Sequence, residues 1–235
     1  MNYLWAAATH RGRLRNNNED SYAPENSGRS QGPVVLIVAD GMGGAVGGEV
    51  ASRLAVETAM NSEGTPTERV QAANEQVVAA ALEDPQLAGM GTTMTLIQLN
   101  PDGRGDLAHV GDSRAYLLRD GQMQMLTSDH TVVAEHVAAG RLSQEDALTH
   151  PQRSMLTRVL GISFELDVDE SELSLAPGDR LLLCSDGLTN MIGDEEIAST
   201  LSSATAEEAA WNLIEQANRA GGHDNITVMV VDVAP

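Results

Sequence analysis

The sequence predicts an α+β domain built on antiparallel sheets. Apolar, β-branched runs such as Val34–Ala39 and Ile226–Val231 have strand character, and each is bounded by glycine, proline or asparagine turns. Hairpin chemistry at Asn100–Gly105 and at Asp120-Gly121 joins neighbouring runs directly. Helices with clear start signals lie between the runs, but not in the regular strand–helix–strand units of a parallel sheet.

In chain order, residues 3–9 form a first strand and Asn26–Gln31 a turn. Val34–Ala39 is expected to be a strand buried on both faces, ending at its tip on Asp40, with Gly41, Gly43 and Gly44 behind it. A helix starts at Gly48-Glu49, with Val50, Leu54 and Thr58 on one face. Thr65-Pro66-Thr67-Glu68 is a capping box with proline at the first helical position, and Val70, Ala73, Val77 and Ala81 give that helix a core stripe. Gly91–Asp129 has the pattern of a β-meander over Thr92–Leu99, Asp106–Val110, Ala115–Arg119 and Gln122–Leu126, with Gly111-Asp112 as a bulge. Residues 127–165 change character and suggest an irregular surface segment with short helices. Arg180–Cys184 is a second buried strand, again followed by a carboxylate and a glycine, Asp186-Gly187. Asp194 caps a short helix, and Thr205-Ala206-Glu207-Glu208 opens one that runs to about Ala220. Asp224-Asn225 stands at the start of the last strand.

At 235 residues the chain suits one large domain, 1–235. Aromatic residues are only 3%, so the core is expected to be built from Ala, Val, Leu, Ile and Met. The formal charge, 14 minus 34 or −20, argues against nucleic acid or an anionic membrane as partner. Cys184 is the only cysteine, which excludes an intrachain disulfide or a thiolate zinc site. No leader and no apolar run near bilayer length is visible, so a cytoplasmic protein is expected.

Asp40, Asp186 and Asp224 each stand where an apolar strand meets a turn, and Glu19, Asp20 and Asp112 are further candidates. A buried carboxylate is costly unless paired, and a cation is the natural partner. With few histidines and no cysteine beside them the donors are hard oxygens, which suit Mg²⁺ or Mn²⁺. A carboxylate bridging two such ions would hold them about 3.5–4 Å apart and activate the water between them. Arg15 offers a planar fork for a phosphate. Neither a P-loop, a dinucleotide-binding glycine pattern nor a serine-hydrolase elbow is present.

Arg15–Asp20, Val38–Gly44, Gly91-Thr92-Thr93, Gly111–Arg114, Ser185-Asp186-Gly187 and Asp224-Asn225 occur in the order seen in the metal-dependent protein phosphatases, and the chain resembles a bacterial type 2C Ser/Thr phosphatase catalytic domain. The resemblance implies a central β-sandwich of two antiparallel sheets flanked by helices on both sides, four layers in all, with a metal cluster in the cleft at one end. By it, Asp40 bridges two Mn²⁺ or Mg²⁺ ions, the Gly41 carbonyl reaches the first, and Asp186 and Asp224 hold the second. Glu19 and Asp20 act through metal-bound waters, and Arg15 clamps the substrate phosphate. A third, weaker ion is implied at Asp112 and Asp186. Residues 127–165 correspond to the family's variable flap, which would place His150 and Ser154 near that third ion. The implied reaction is hydrolysis of phosphoserine and phosphothreonine by direct attack of a metal-bound hydroxide. The implied partners are phosphoproteins that are substrates of bacterial Ser/Thr kinases, or the kinases themselves, acted on by a monomer.

Met42 departs from the eukaryotic pattern, which carries histidine there as a proposed general acid; a thioether cannot donate a proton. A metal-bound water or His150 would have to take that part, or the leaving group goes without much assistance. A catalytically inactive phosphoprotein-binding scaffold and a two-metal nucleotide phosphodiesterase are the alternatives. The intact carboxylate set disfavours the first; the charge and the motif order disfavour the second.

Overall fold

In the computed structural model, which describes residues 1–43 and 46–235, the chain opens with β1 (Asn2–His10), two short strands β2 (Asp20–Ala23) and β3 (Ser27–Ser30), and the long strand β4 (Val34–Met42). Gly44, the last glycine of the Asp40 motif, lies outside the described residues. Helices α1 (Gly47–Asn61) and α2 (Pro66–Glu83) follow, then β5 (Gly91–Thr92), β6 (Met94–Leu99), β7 (Arg104–Val110), β8 (Arg114–Arg119) and β9 (Gln122–Met125). The 127–165 segment contributes α3 (Val132–Ala138) and α4 (Gln144–Thr149). The chain finishes with β10 (Asp169–Ser174), β11 (Arg180–Cys184), α5 (Asp186–Thr189), α6 (Asp194–Ser203), α7 (Ala206–Arg219) and β12 (Ile226–Ala234).

The strands form two antiparallel sheets. One runs β3-β1-β12-β11-β8-β9; the other runs β10-β7-β6-β4-β2, with β5 paired to the end of β4. Why the central strands are apolar on both faces is visible in how their alternate residues are used. In β4, Leu36 and Val38 point into a core shared with Leu181, Leu183, Met229 and Val231 of the facing sheet. Ile37 and Ala39 point the other way, against Ala51, Ala55, Val70, Ala73 and Val77 of α1 and α2. In β12, Val228 and Val230 likewise turn outward onto Ala209, Leu213 and Ala217 of α7. Three apolar layers therefore hold four layers of secondary structure together, as expected of a helix-flanked sandwich.

Four local expectations are corrected. Asp40 lies inside β4 and not at its tip, because β5 pairs with Gly41 and Met42 and prolongs the strand. The predicted meander is split: β6 and β7 belong to one sheet and β8 and β9 to the other, so Gly111-Asp112-Ser113 is a crossing between sheets and not a bulge. Asn26–Gln31 is largely strand β3, paired to β1 along Tyr3–Ala6. Gly193, not Asp194, is the residue before α6.

Candidate metal centre

The crossing between sheets determines which residues meet. The ends of β4, β11 and β12 and the 111–113 crossing open on one cleft of about 450 Å³. Its walls include Arg15, Glu19, Asp40, Gly41, Asp112, Asp186 and Asp224, with Met42, Gly43 and Thr93 beside them. Ser154, Met155, Leu156 and Val159 of the 127–165 segment complete the lining.

Each carboxylate is held by its backbone. The Asp40 amide donates to Thr93 Oγ1 at 2.9 Å, and its carbonyl accepts from the Thr93 amide and Thr92 Oγ1, both at 2.9 Å. Across the β2–β4 ladder Asp20 stands opposite Asp40. Gly41 could carry no side chain: a Cβ there would lie 2.1 Å from the Gly48 carbonyl oxygen and 2.5 Å from that of Glu19. Asp186 is the first residue of α5, with Asn190 Nδ2 donating to its Oδ2 at 2.8 Å. Asp224 Oδ1 accepts from the Asn225 amide at 2.8 Å.

Of the residues singled out in the sequence, Arg15, Glu19, Asp40, Gly41, Asp112, Asp186, Asp224 and Ser154 line the cleft. Asp20 sits just behind the wall, its Oδ2 accepting from Ser185 Oγ at 2.8 Å. His150 is not brought in. It caps the end of α4, and its Nδ1 accepts from the Gln152 amide at 3.1 Å within its own turn. Arg15 is committed differently from the expectation of a free phosphate clamp, for its Nη2 donates to Asp224 Oδ2 at 2.7 Å. The sequence marked no role for Asn225, which is buried and ties the start of β12 to the loop between β1 and β2. Its Oδ1 accepts from the Glu19 amide at 2.8 Å, and its Nδ2 donates to the carbonyls of Arg11 at 3.0 Å and Asn17 at 2.8 Å. Its position beside Asp224 was the only available signal.

The carboxylates strain against one another. Burial raises Asp20 to about 7, with Asp186 and Asp224 nearby adding to the shift. Burial and Asp186 raise Asp112 to about 8, and burial and Asp224 raise Asp186 to about 6. Asp40 is pushed well above the carboxylate range by burial and then by Asp20, Asp186, Asp112 and Asp224. Among the described residues no three His, Cys, Asp or Glu side chains are drawn tightly enough together to enclose one ion; the carboxylates ring a cleft instead. The set nevertheless fits hard divalent cations. Asp20 Oδ1 and Asp186 Oδ1 are buried without a hydrogen-bond donor, the donors are all oxygen, and added positive charge would relieve the mutual repulsion. A second hollow of about 460 Å³ between Thr65–Thr67 and Glu170–Glu172 has no basic side chain on its walls, so an anionic substrate is disfavoured there.

A family model described as protein phosphatase 2C matches residues 9–220. The chain belongs to the protein phosphatase 2C family. It is 42% identical over 239 residues to the serine/threonine protein phosphatase PstP of Mycobacterium tuberculosis, covering 97% of this chain but 45% of that protein. It therefore spans about half the length of that relative. The serine/threonine phosphatase stp of Listeria innocua is 40% identical over 239 residues, covering 95% of this chain and 93% of the relative. Among solved structures, the catalytic domain of PstP in complex with two manganese ions superposes over 100% of both chains, with a TM-score of 0.87 at 37% identity.

Proposed function

We propose that this protein phosphatase 2C chain is a single catalytic domain that hydrolyses phosphoserine and phosphothreonine in proteins, dependent on Mn²⁺ or Mg²⁺. The observation that carries it is the convergence of Asp40, Asp112, Asp186 and Asp224 with Arg15 on one cleft. A relative of the same fold, crystallised with two manganese ions, supports catalysis over the scaffold reading.

In this reading Asp40, Asp186, Asp224 and the Gly41 carbonyl would hold two core ions, Glu19 and Asp20 would act on them through waters, and Asp112 with Asp186 would hold a third and weaker one. Such ions act as Lewis acids and lower the pKa of water to near neutrality. The protein's own part is orientation. Arg15, half exposed on the rim and anchored by Asp224, presents its remaining guanidinium N–H groups to a phosphate. Asp224 holds that fork beside the cleft, and Thr92 and Thr93 fix the backbone of Asp40. Met42, 39% exposed on the cleft wall, offers an apolar surface and no proton. With His150 turned into α4's own end, no histidine of the 127–165 segment stands in as general acid. Phosphoproteins are the substrates. Opposition to Ser/Thr kinases rests on the family resemblance, and action in the cytoplasm as a monomer is part of the same proposal; no helix among the described residues is long and apolar enough to cross a membrane.

The test is hydrolysis of a phosphothreonine peptide against rising Mn²⁺ or Mg²⁺, with chelator as control and a cyclic dinucleotide as competitor substrate. Peptide turnover that rises with metal and vanishes with chelator is expected. No turnover from folded, metal-bound protein would return the scaffold reading, and preference for the dinucleotide would return the phosphodiesterase.

A further inference from the structure

The loop that carries Asp112 is held on its far side at Ser113, whose hydroxyl meets Thr93 Oγ1 at 2.8 Å and whose carbonyl accepts from Thr95 Oγ1 at 2.9 Å, and on its near side at Gly111. Gly111 lies at φ +110°, and a Cβ there would meet Thr93 Cγ2 at 2.5 Å, so no other residue could stand in this crossing without strain. Both main-chain groups of Gly111 are taken by one residue, His130. The His130 amide donates to the Gly111 carbonyl at 2.8 Å, and the Gly111 amide donates to His130 Nδ1 at 3.0 Å. Because Nδ1 accepts, the ring proton is on Nε2, which donates to Asp169 Oδ2 at 3.1 Å. Asp169 Oδ1 in turn accepts from Arg158 Nη1 at 2.6 Å. The His130 carbonyl accepts from the Thr157 amide at 2.8 Å, and the ring, 2% exposed, packs on His109 with centroids 4.8 Å apart.

His130 therefore joins the floor of the cleft, at Gly111-Asp112, to the stem of the wall formed by Ser154–Val159. From this geometry, and resting on the reading of Asp112 as a cation ligand, we propose that His130 is a positioning residue for Asp112. By fixing the 111–113 crossing against the flap stem it sets how tightly the weakest-held cation binds. It touches neither substrate nor ion, and acts through the Gly111 backbone.

Two substitutions separate its two ring contacts. His130→Asn keeps an acceptor where Nδ1 stands but cannot reach Asp169. His130→Gln places an amide donor where Nε2 stands and loses the acceptor for Gly111. The readouts are a calorimetric Mn²⁺ isotherm, the Mn²⁺ concentration for half-maximal turnover of a phosphothreonine peptide, and thermal unfolding in chelator. His130→Gln is expected to weaken the loosest binding event about tenfold or more while the tighter events stay unchanged, with half-maximal Mn²⁺ rising by the same factor. His130→Asn is expected to stay within about threefold of the parent. If His130→Gln does not fold, His130→Ala, which likewise removes the acceptor for the Gly111 amide, is expected to weaken the same event in the same direction. The proposal is overturned if the variants lose thermal stability but leave isotherm and Mn²⁺ dependence unchanged, or if the parent shows no weak event at all. Failure of the phosphatase reading is seen separately, as absent turnover by the parent, and leaves the isotherm readable.

Discussion

His109, fully buried on β7, has a defined pH signature. Its Nε2–H donates to the Ser128 carbonyl at 3.1 Å, and its Nδ1 lies 2.9 Å from Thr95 Oγ1, whose hydroxyl also reaches the Ser113 carbonyl at 2.9 Å. Burial and then His130 push the imidazole down to about 4, from an ordinary value near 6.5. A histidine held neutral in the fold contributes its stability fully above the unfolded pKa, and loses it as pH falls towards the folded one. Chemical denaturation between pH 7 and pH 4 is therefore expected to lose stability on the order of 3 kcal/mol through this side chain. His109→Asn should flatten that limb, and an unchanged slope would show that the ring does not titrate in place. At this scale the sequence was legible where a side chain conflicts with its neighbours. A carboxylate beside an apolar run, as at Asp40 and Asp186, signals itself because burial must be compensated. Asn225 and the Arg15–Asp224 pair were not legible, since their partners are up to 214 residues away and exist only after folding. His150 was misplaced for a related reason, as nothing in its neighbours says which way the ring turns.

The elements were most legible where local chemistry decides them. The Thr65–Glu68 capping box forms as expected, with the Glu68 amide donating to Thr65 Oγ1 at 3.2 Å and the Thr65 amide to Glu68 Oε2 at 2.8 Å. Thr65→Ala is expected to cost about 1 kcal/mol in urea unfolding. Because this end of α2 is remote from the cleft, kcat should not change; altered turnover would mean that α2 is coupled to the site. The strands missed or misassigned were edges. Both β3 (Ser27–Ser30) and β10 (Asp169–Ser174) border their sheets and are polar on both faces, apart from Leu173, so no alternation marks them. The split of the meander was hidden because a Gly-Asp break has the same composition whether the chain bulges or changes sheet.

Across the whole molecule, convergence is what the linear sequence conceals. The fold gathers carboxylates separated by up to 205 positions, Glu19 to Asp224, at one end of a sandwich in a chain of net charge −20. A cleft that repels itself should be stabilised by the cations it binds. At about 100-fold excess over the dissociation constant, Mn²⁺ is expected to add about 2.7 kcal/mol. For a chain of this length that raises the unfolding midpoint by roughly 5–10 °C. A thermal scan with and without chelator would read this, and no shift would mean that the cleft does not bind the ion. The central claim is that Asp40 holds the ions on which hydrolysis depends. It is tested most directly by turnover of Asp40→Asn beside the parent, on a phosphothreonine peptide at saturating Mn²⁺, with circular dichroism to establish the fold. The expected result is a folded protein whose rate falls about a hundredfold or more, since metal activation supplies several kcal/mol. A variant that keeps more than about a tenth of the parent rate would contradict it.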